Sequence, residues 1–287
     1  MIRGRHAQVA GLAVALLAVL VSGLFSFGGA SNAASALPDK KPKPIWRDEF
    51  SGKAGSAPSS RTWTAQVGGN GWGNGEVQCY TNSRTNSHLN GKGVLVISAR
   101  RQPGHTCANG TTNDYTSARL VTLGKMHRKY GRILIRAKVP AGNGVWPAFW
   151  AIGADEPKVK WPRSGEFDVL EALGRKPKML KTTLHGVDAQ GNHRSVTKEG
   201  VAKKKLSKGW HVYGLTWTRK SFTATYDGKV YAKITKKQVR RTGMLWSFDK
   251  PFYFVLNLAI GGGYAGPVAA GTTRKDFLID WIRVYKR

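Results

Sequence analysis

From residue 45 onward the sequence offers almost no apolar spacing of helical period, and that shortage constrains the fold more than any other feature. Apolar residues instead alternate with polar ones in short runs at 94–99, 133–139, 210–219, 222–226 and 277–285. This is the period-two pattern of strands that bury one face. Glycines, 35 in all, fall between the runs, and Tyr226-Asp227-Gly228-Lys229 is a hairpin signal because Asp-Gly suits the positive φ angles of a type I′ turn. Many short strands joined by glycine-rich turns predict an all-β chain folded as an antiparallel β-sandwich or jelly roll. With no internal repeat and no second linker, residues 45–287 read as one domain.

The N-terminal segment has a different composition. Arg3, Arg5 and His6 precede an apolar run at 9–27, and Ala34-Ser35-Ala36 offers a small-residue cleavage site. Residues 1–36 therefore read as a secretory signal peptide, with a retained membrane anchor as the alternative, and 37–44 as a short Lys/Pro-rich linker. Export makes a secreted, extracellular protein the expectation, with no membrane contact once the leader is removed. Cys79 and Cys107 are the only cysteines. In an exported chain they read as one disulfide, although two separately buried thiols stay open.

The chain carries 46 Lys and Arg against 16 Asp and Glu, a formal net charge of +30. Such an excess favours nonspecific adhesion to anionic surfaces. The basic residues are nevertheless scattered as Lys40-Lys41, Lys203-Lys204-Lys205, Lys236-Lys237 and Arg240-Arg241, outside any nucleic-acid module, so no specific nucleic acid is expected. Zinc-ligand clusters, phosphate-binding loops and dinucleotide fingerprints are absent from the sequence. A monomer is the default expectation.

Against this basic background, Gly165-Glu166-Phe167-Asp168-Val169-Leu170-Glu171 concentrates three carboxylates. On a strand, Glu166 and Asp168 share one face while Phe167 and Val169 point into a core. Glu171 has the wrong parity for that face, and a β-bulge around Val169-Leu170 would bring it round. A solvated acidic face is the competing reading, but the triplet is embedded in aromatic sequence: Val145-Trp146-Pro147-Ala148-Phe149-Trp150 before it and Trp161-Pro162 beside it. Converging carboxyls of this kind suit a retaining glycosidase, which needs one as nucleophile and one as proton donor.

The same residues carry a resemblance. Glu166-Phe167-Asp168-Val169-Leu170-Glu171 resembles the bulged E-x-D-x-x-E motif of family 16 glycoside hydrolases of the laminarinase type. Trp46-Arg47-Asp48-Glu49-Phe50, Gly71-Trp72-Gly73-Asn74-Gly75-Glu76, Tyr130-Gly131-Arg132, Leu256-Asn257-Leu258-Ala259 and Asp280-Trp281-Ile282-Arg283 resemble other blocks in the family's order. The resemblance implies a concanavalin-like jelly roll and a secreted endo-β-1,3-glucanase acting on β-glucan without a catalytic cofactor. Within the motif it makes Glu166 the nucleophile, Asp168 the modulator and Glu171 the acid/base. It also implies cleft positions at Asn74, Arg119, His185 and Asn257, with His185 aimed at Glu171 from the following strand. Trp72, Trp146, Trp150 and Trp161 are the stacking candidates, since flat apolar platforms suit pyranose faces; each could equally be core. Trp146 and Trp150 share a strand face, which would turn Phe149 to the core.

A structural Ca²⁺ in the family points to Glu49, Gly91 and Asp280 here. Two departures bear on substrate preference. Cys79 replaces an aromatic, which brings the disulfide toward the cleft wall, and Gly262-Gly263-Tyr264-Ala265-Gly266-Pro267 replaces a Trp-containing loop, with Tyr264 free to stack on a sugar. The alternatives are a related hydrolase of mixed-linkage glucan or of a galactan, sulfated or not, and a non-catalytic carbohydrate-binding sandwich.

Overall fold

The computed structural model describes residues 42–286; the leader at 1–36 and most of the linker lie outside them. Two β-sheets face each other, one of ten strands and one of eight. The eight-stranded sheet runs in the order His193–Val201, Met179–Val187, Glu166–Glu171, Val145–Gly153, Phe252–Ile260, Arg119–Val121, Thr64–Gln66, with the eighth strand, His127–Arg128, also paired to Phe252–Ile260. Among the described residues α-helix is confined to three pieces of six residues or fewer, among them Lys236–Arg241, beside one 3-10 turn at Gly71–Gly73, and no helix there is long and apolar enough to cross a membrane. Pairing is antiparallel throughout except where Gln78–Tyr80 lies parallel to Thr112–Ser117. The antiparallel sandwich expected from the sequence is the observed architecture, with this one parallel pair, whose strands are connected through Leu95–Thr106 and not by a hairpin.

The period-two runs became strands for the reason the pattern implies: their apolar faces meet between the sheets. Phe167 from one sheet packs against Trp217 of the other and against Phe252, each at 5.1 Å between ring centroids. All three rings are fully buried. Each such ring contributes roughly 2–3 kcal/mol over leaving it exposed. The Asp227-Gly228 turn forms as expected: Tyr226 pairs with Lys229, and the two turn residues take φ of +47° and +78°. The central strand Phe252–Ile260 does not alternate, because every one of its residues is buried.

Cys79 and Cys107 are bonded, with Cα atoms 5.3 Å apart, across 28 residues of chain. The bond lies beneath the loop that carries Trp72, so close that a Cβ on Gly69 would overlap Cys107 Sγ at 2.0 Å. Asn109 and Asn113 hold the same loop by hydrogen bonds to the Gly69 main chain. Denatured, unreduced protein is therefore expected to show no free thiol, and C79A/C107A to lose about 2–4 kcal/mol of stability in urea unfolding. Two reactive thiols would remove the crosslink.

Candidate active site

The acid strand Glu166–Glu171 lies between Val145–Gly153 and Met179–Val187. Against Val145–Gly153 the register is Phe149 with Leu170, then Trp150 with Asp168, so Val169 is the extra residue. This is the bulge that parity demanded. Val169 and Leu170 both enter the core with Phe167, and Glu166, Asp168 and Glu171 all line one cleft of about 530 Å³. Gly165 starts the strand at φ +75°, where a Cβ would also meet Ser247 Oγ at 2.5 Å.

Each carboxyl has its own surroundings. Glu166 accepts a hydrogen bond from Trp161 Nε1 at 2.7 Å and has His185 Nε2 at 3.6 Å. Asp168 is 4 % exposed, and its Oδ2 has no hydrogen-bond partner. Glu171 has Lys181 Nζ at 3.2 Å. Lys181 also donates to the Tyr264 hydroxyl and sits over the Tyr264 ring, which meets Trp146 edge-on at 4.6 Å. His185 thus belongs to Glu166 and not to Glu171 as expected. The two strands pair Glu166 directly with His185, which leaves Lys181, four residues back on the same face, to reach Glu171.

Burial dominates the electrostatics. It pushes Glu166 up to about 8, helped by the Glu171 charge and opposed by the Trp161 N–H and by Arg119. It holds Asp168 well above the usual carboxylate range, with both glutamates adding to the rise, and raises Glu171 against the pull of Lys181. Burial and crowding thus raise all three carboxyls, which favours proton retention by the group that must donate. Burial drives His185 down to about 4, with His193 and Lys181 adding to the fall, so its imidazole is neutral here.

The sugar-binding expectations converge. Trp72, Asn74, Arg119, Trp146, Trp150, Trp161, His185 and Asn257 all line the cleft. Trp146 and Trp150 face it while Phe149 is buried in the core. The Arg119 guanidinium lies between two of the tryptophans, 4.9 Å from the Trp72 ring and 4.7 Å from the Trp150 ring, and donates to Gln66 Oε1. Trp150 donates to Asn257, Asn257 to the Tyr80 hydroxyl, and Tyr80 to buried Glu76, so the platform is braced from behind. Lys181, His193, Gln66 and Glu76 were not anticipated. The period-two spacing from His185 gives Lys181, and Glu76 stands inside the quoted Gly71-to-Glu76 block. His193 arrives from the next strand, where its Nε2 lies 3.0 Å from His185 Nδ1, a contact no local spacing signals.

The residues marked for calcium fit it poorly. Glu49 spends both carboxylate oxygens on Arg283, Asp280 is paired with Arg136, and a Cβ on Gly91 would touch only Ala54. Glu49 thus has no carboxylate oxygen free for a cation, and Asp280 has one of its two engaged.

A carboxyl raised from 4.5 to about 8 on folding favours the folded state below pH 4.5, and that contribution is lost as pH rises through 8. Glu166→Gln removes the loss. Its unfolding free energy should match the wild type near pH 4 and exceed it progressively toward pH 9, by up to about 5 kcal/mol. A gap independent of pH would contradict the buried, proton-retaining carboxyl.

With this geometry in view, the comparisons with known proteins agree. A family model described as Glycosyl hydrolases family 16 matches residues 73–283. The beta-glucanase of Rhodothermus marinus is 34 % identical over 282 residues, covering 94 % of this chain and 93 % of that protein. The glucan endo-1,3-beta-glucosidase of Cryptopygus antarcticus is 36 % identical over 249 residues, covering 83 % and 90 %. The X-ray structure of the endo-beta-1,3-glucanase from Pyrococcus furiosus aligns with a TM-score of 0.74 at 38 % identity, over 85 % of this chain and 94 % of that one. Matched along most of its length, and carrying the acid motif in bulged form on the wall of an open cleft, the chain belongs to family 16 of the glycosyl hydrolases.

Proposed function

We propose that the protein is a retaining endo-β-1,3-glucanase that cleaves β-glucans such as laminarin. The observation that carries this reading is the one-residue bulge at Val169, which puts three carboxyls on one cleft wall in a chain whose relatives are β-1,3-glucanases. The expected leader at 1–36 supports action outside the cell.

Glu166 attacks the anomeric carbon as a carboxylate while Glu171 gives its proton to the departing glycosidic oxygen. The products of this half are a glycosyl ester on Glu166 and a shortened glucan. Glu171, now ionised, takes a proton from water as that water opens the ester, and both residues return to their starting states. Trp161 holds the attacking oxygen pair in place through its 2.7 Å hydrogen bond. Lys181, 3.2 Å from Glu171, stabilises the carboxylate that exists only between the two halves. Asp168, buried between the two glutamates along the strand, keeps its own proton and so limits the negative charge that Glu166 must work against. Neutral His185 does not compete as a proton donor. Trp72, Trp146 and Trp150 offer ring faces and edges along the cleft for the pyranose units.

The test is reducing-end release from laminarin, barley mixed-linkage glucan and agarose, with proton NMR of the first anomer formed. Laminarin should be cut with the β-anomer appearing first, and Glu171→Gln should lower turnover by about 10²–10⁴-fold with laminarin binding kept. A first-formed α-anomer would overturn retention. Activity on agarose alone would overturn the substrate. The rate should rise and then fall with pH, as Glu166 must lose a proton and Glu171 must hold one, with the acidic limb displaced above 4.5 by burial.

A further inference from the structure

The catalytic cleft gives a use to the acid triplet of this protein but not to its many bases, and the bases are not evenly spread. Residues 194–241 contain 14 Lys and Arg against 2 Asp and Glu, whereas the rest of 42–286 contains 27 against 13. The fold gathers this segment on one flank. Strand His193–Val201 is the outer strand of the eight-stranded sheet and Lys229–Thr235 the outer strand of the ten-stranded one. The two edges meet where Gly200 lies against Tyr231, so closely that a Cβ on Gly200 would stand 3.0 Å from the ring.

Around this seam the cations are exposed and mostly unpaired. Lys198 lies on one edge strand, Lys229 and Lys233 on the other, and all three are exposed. Lys237, Arg240 and Arg241 share the outer side of the short helix that follows, opposite buried Val239. Lys203, Lys204 and Lys205 form the exposed loop after the first edge. Of the 14, only Arg194 and Lys236 have carboxylate partners among the described residues, Asp188 and Asp249. The flank also touches the cleft. His193, which opens the edge strand, lines the catalytic site, and the strand then runs for about 26 Å beside Met179–Val187, with Glu199 opposite the cleft residue Lys181.

We propose that this flank is a binding site for an acidic polysaccharide, one bearing sulfate or carboxylate groups, that holds the enzyme where its neutral glucan substrate is interleaved with such a polymer. The choice of a polysaccharide rests on the glucanase reading; the presence of a polyanion site does not. Ten of the 14 cations are lysines, point charges on long stems that follow a flexible, regularly charged chain. The exposed apolar residues at the seam are Val201 and Val230, and no exposed aromatic stands among the cations to stack a nucleic-acid base. The only helix there has six residues and presents charge, not an apolar face, to solvent, which does not suit a membrane surface.

Two variants of equal charge separate a built site from mere net charge. K203Q/K204Q/K205Q/K237Q/R241Q removes five cations from the flank, and K53Q/R61Q/R84Q/K92Q/R101Q removes five exposed cations elsewhere. Affinity for heparin and for polygalacturonate oligosaccharides is measured at 150 mM NaCl, beside laminarin hydrolysis by the same preparations. The flank variant should bind at least tenfold more weakly with a shallower salt dependence, the second variant less than threefold more weakly, and both should cut laminarin at the wild-type rate. Equal losses in the two variants would overturn the site and leave only net charge. Duplex DNA binding more tightly than either glycan, and lost in the flank variant, would replace the polysaccharide with nucleic acid. Failure to cut laminarin by the wild type, with flank-dependent retention intact, would sink the glucanase reading alone.

Discussion

Everything at the catalytic centre depends on one residue having no partner across the sheet. Without the bulge at Val169, side chains would alternate strictly and Glu171 would enter the core while Leu170 entered the cleft. A glutamate turned into the apolar core without a partner would cost several kcal/mol. The core therefore enforces the bulge as much as the chemistry needs it: Phe167, Val169 and Leu170 are all inside only if one residue goes unpaired. Packing and catalysis impose the same local register, so neither has to be traded against the other.

The second constraint follows from the first. Bringing three carboxyls to one wall crowds like charges where burial weakens their solvation, and the site responds with a different partner for each. Glu166 has an indole N–H, Glu171 an ammonium, and Asp168 leaves an oxygen unpartnered. The differences matter more than the common upward shift. In the proposed mechanism a donor that carries charge would stabilise the ionised form of Glu171 once it had given up its proton, while a neutral N–H fixes the direction of Glu166 with a smaller effect on its basicity. Arg119, at longer range between Trp72 and Trp150, adds positive potential without touching a carboxyl, and so can act on Glu166 while its guanidinium stiffens the sugar platform.

Much of this was legible in the sequence. The strands, the hairpin at Asp227-Gly228, the bulge and the eight cleft residues all follow from parity, turn chemistry or the family motif. What escaped has a common cause. His185 was assigned to the wrong glutamate because the pairing register between two strands is set by long-range packing and is not written in either strand alone. The His185–His193 contact and the parallel pairing of Gln78–Tyr80 depend on the same kind of non-local choice. The calcium expectation shows another limit. Residue types at Glu49 and Asp280 suited a cation, but Arg283 and Arg136, distant in sequence, take up the carboxylates in the fold.

The edge of the sandwich ties the chemistry to the charge. An open strand edge invites pairing with another chain, and exposed lysine is a common defence. Here the two sheets already cover much of each other's edge at the Gly200–Tyr231 contact, so protection alone does not require so many cations on that flank. Their mutual repulsion is moderated because at physiological salt it decays over about 8 Å and the cations are divided among a strand, a loop and a helix. What remains is a dense positive potential beginning at His193 on the cleft wall. A neutral substrate gains nothing directly from that potential. A polyanion does, and one anchored along the strand would keep the cleft close to whatever neutral chains lie beside it, raising the local substrate concentration without any change in the catalytic residues.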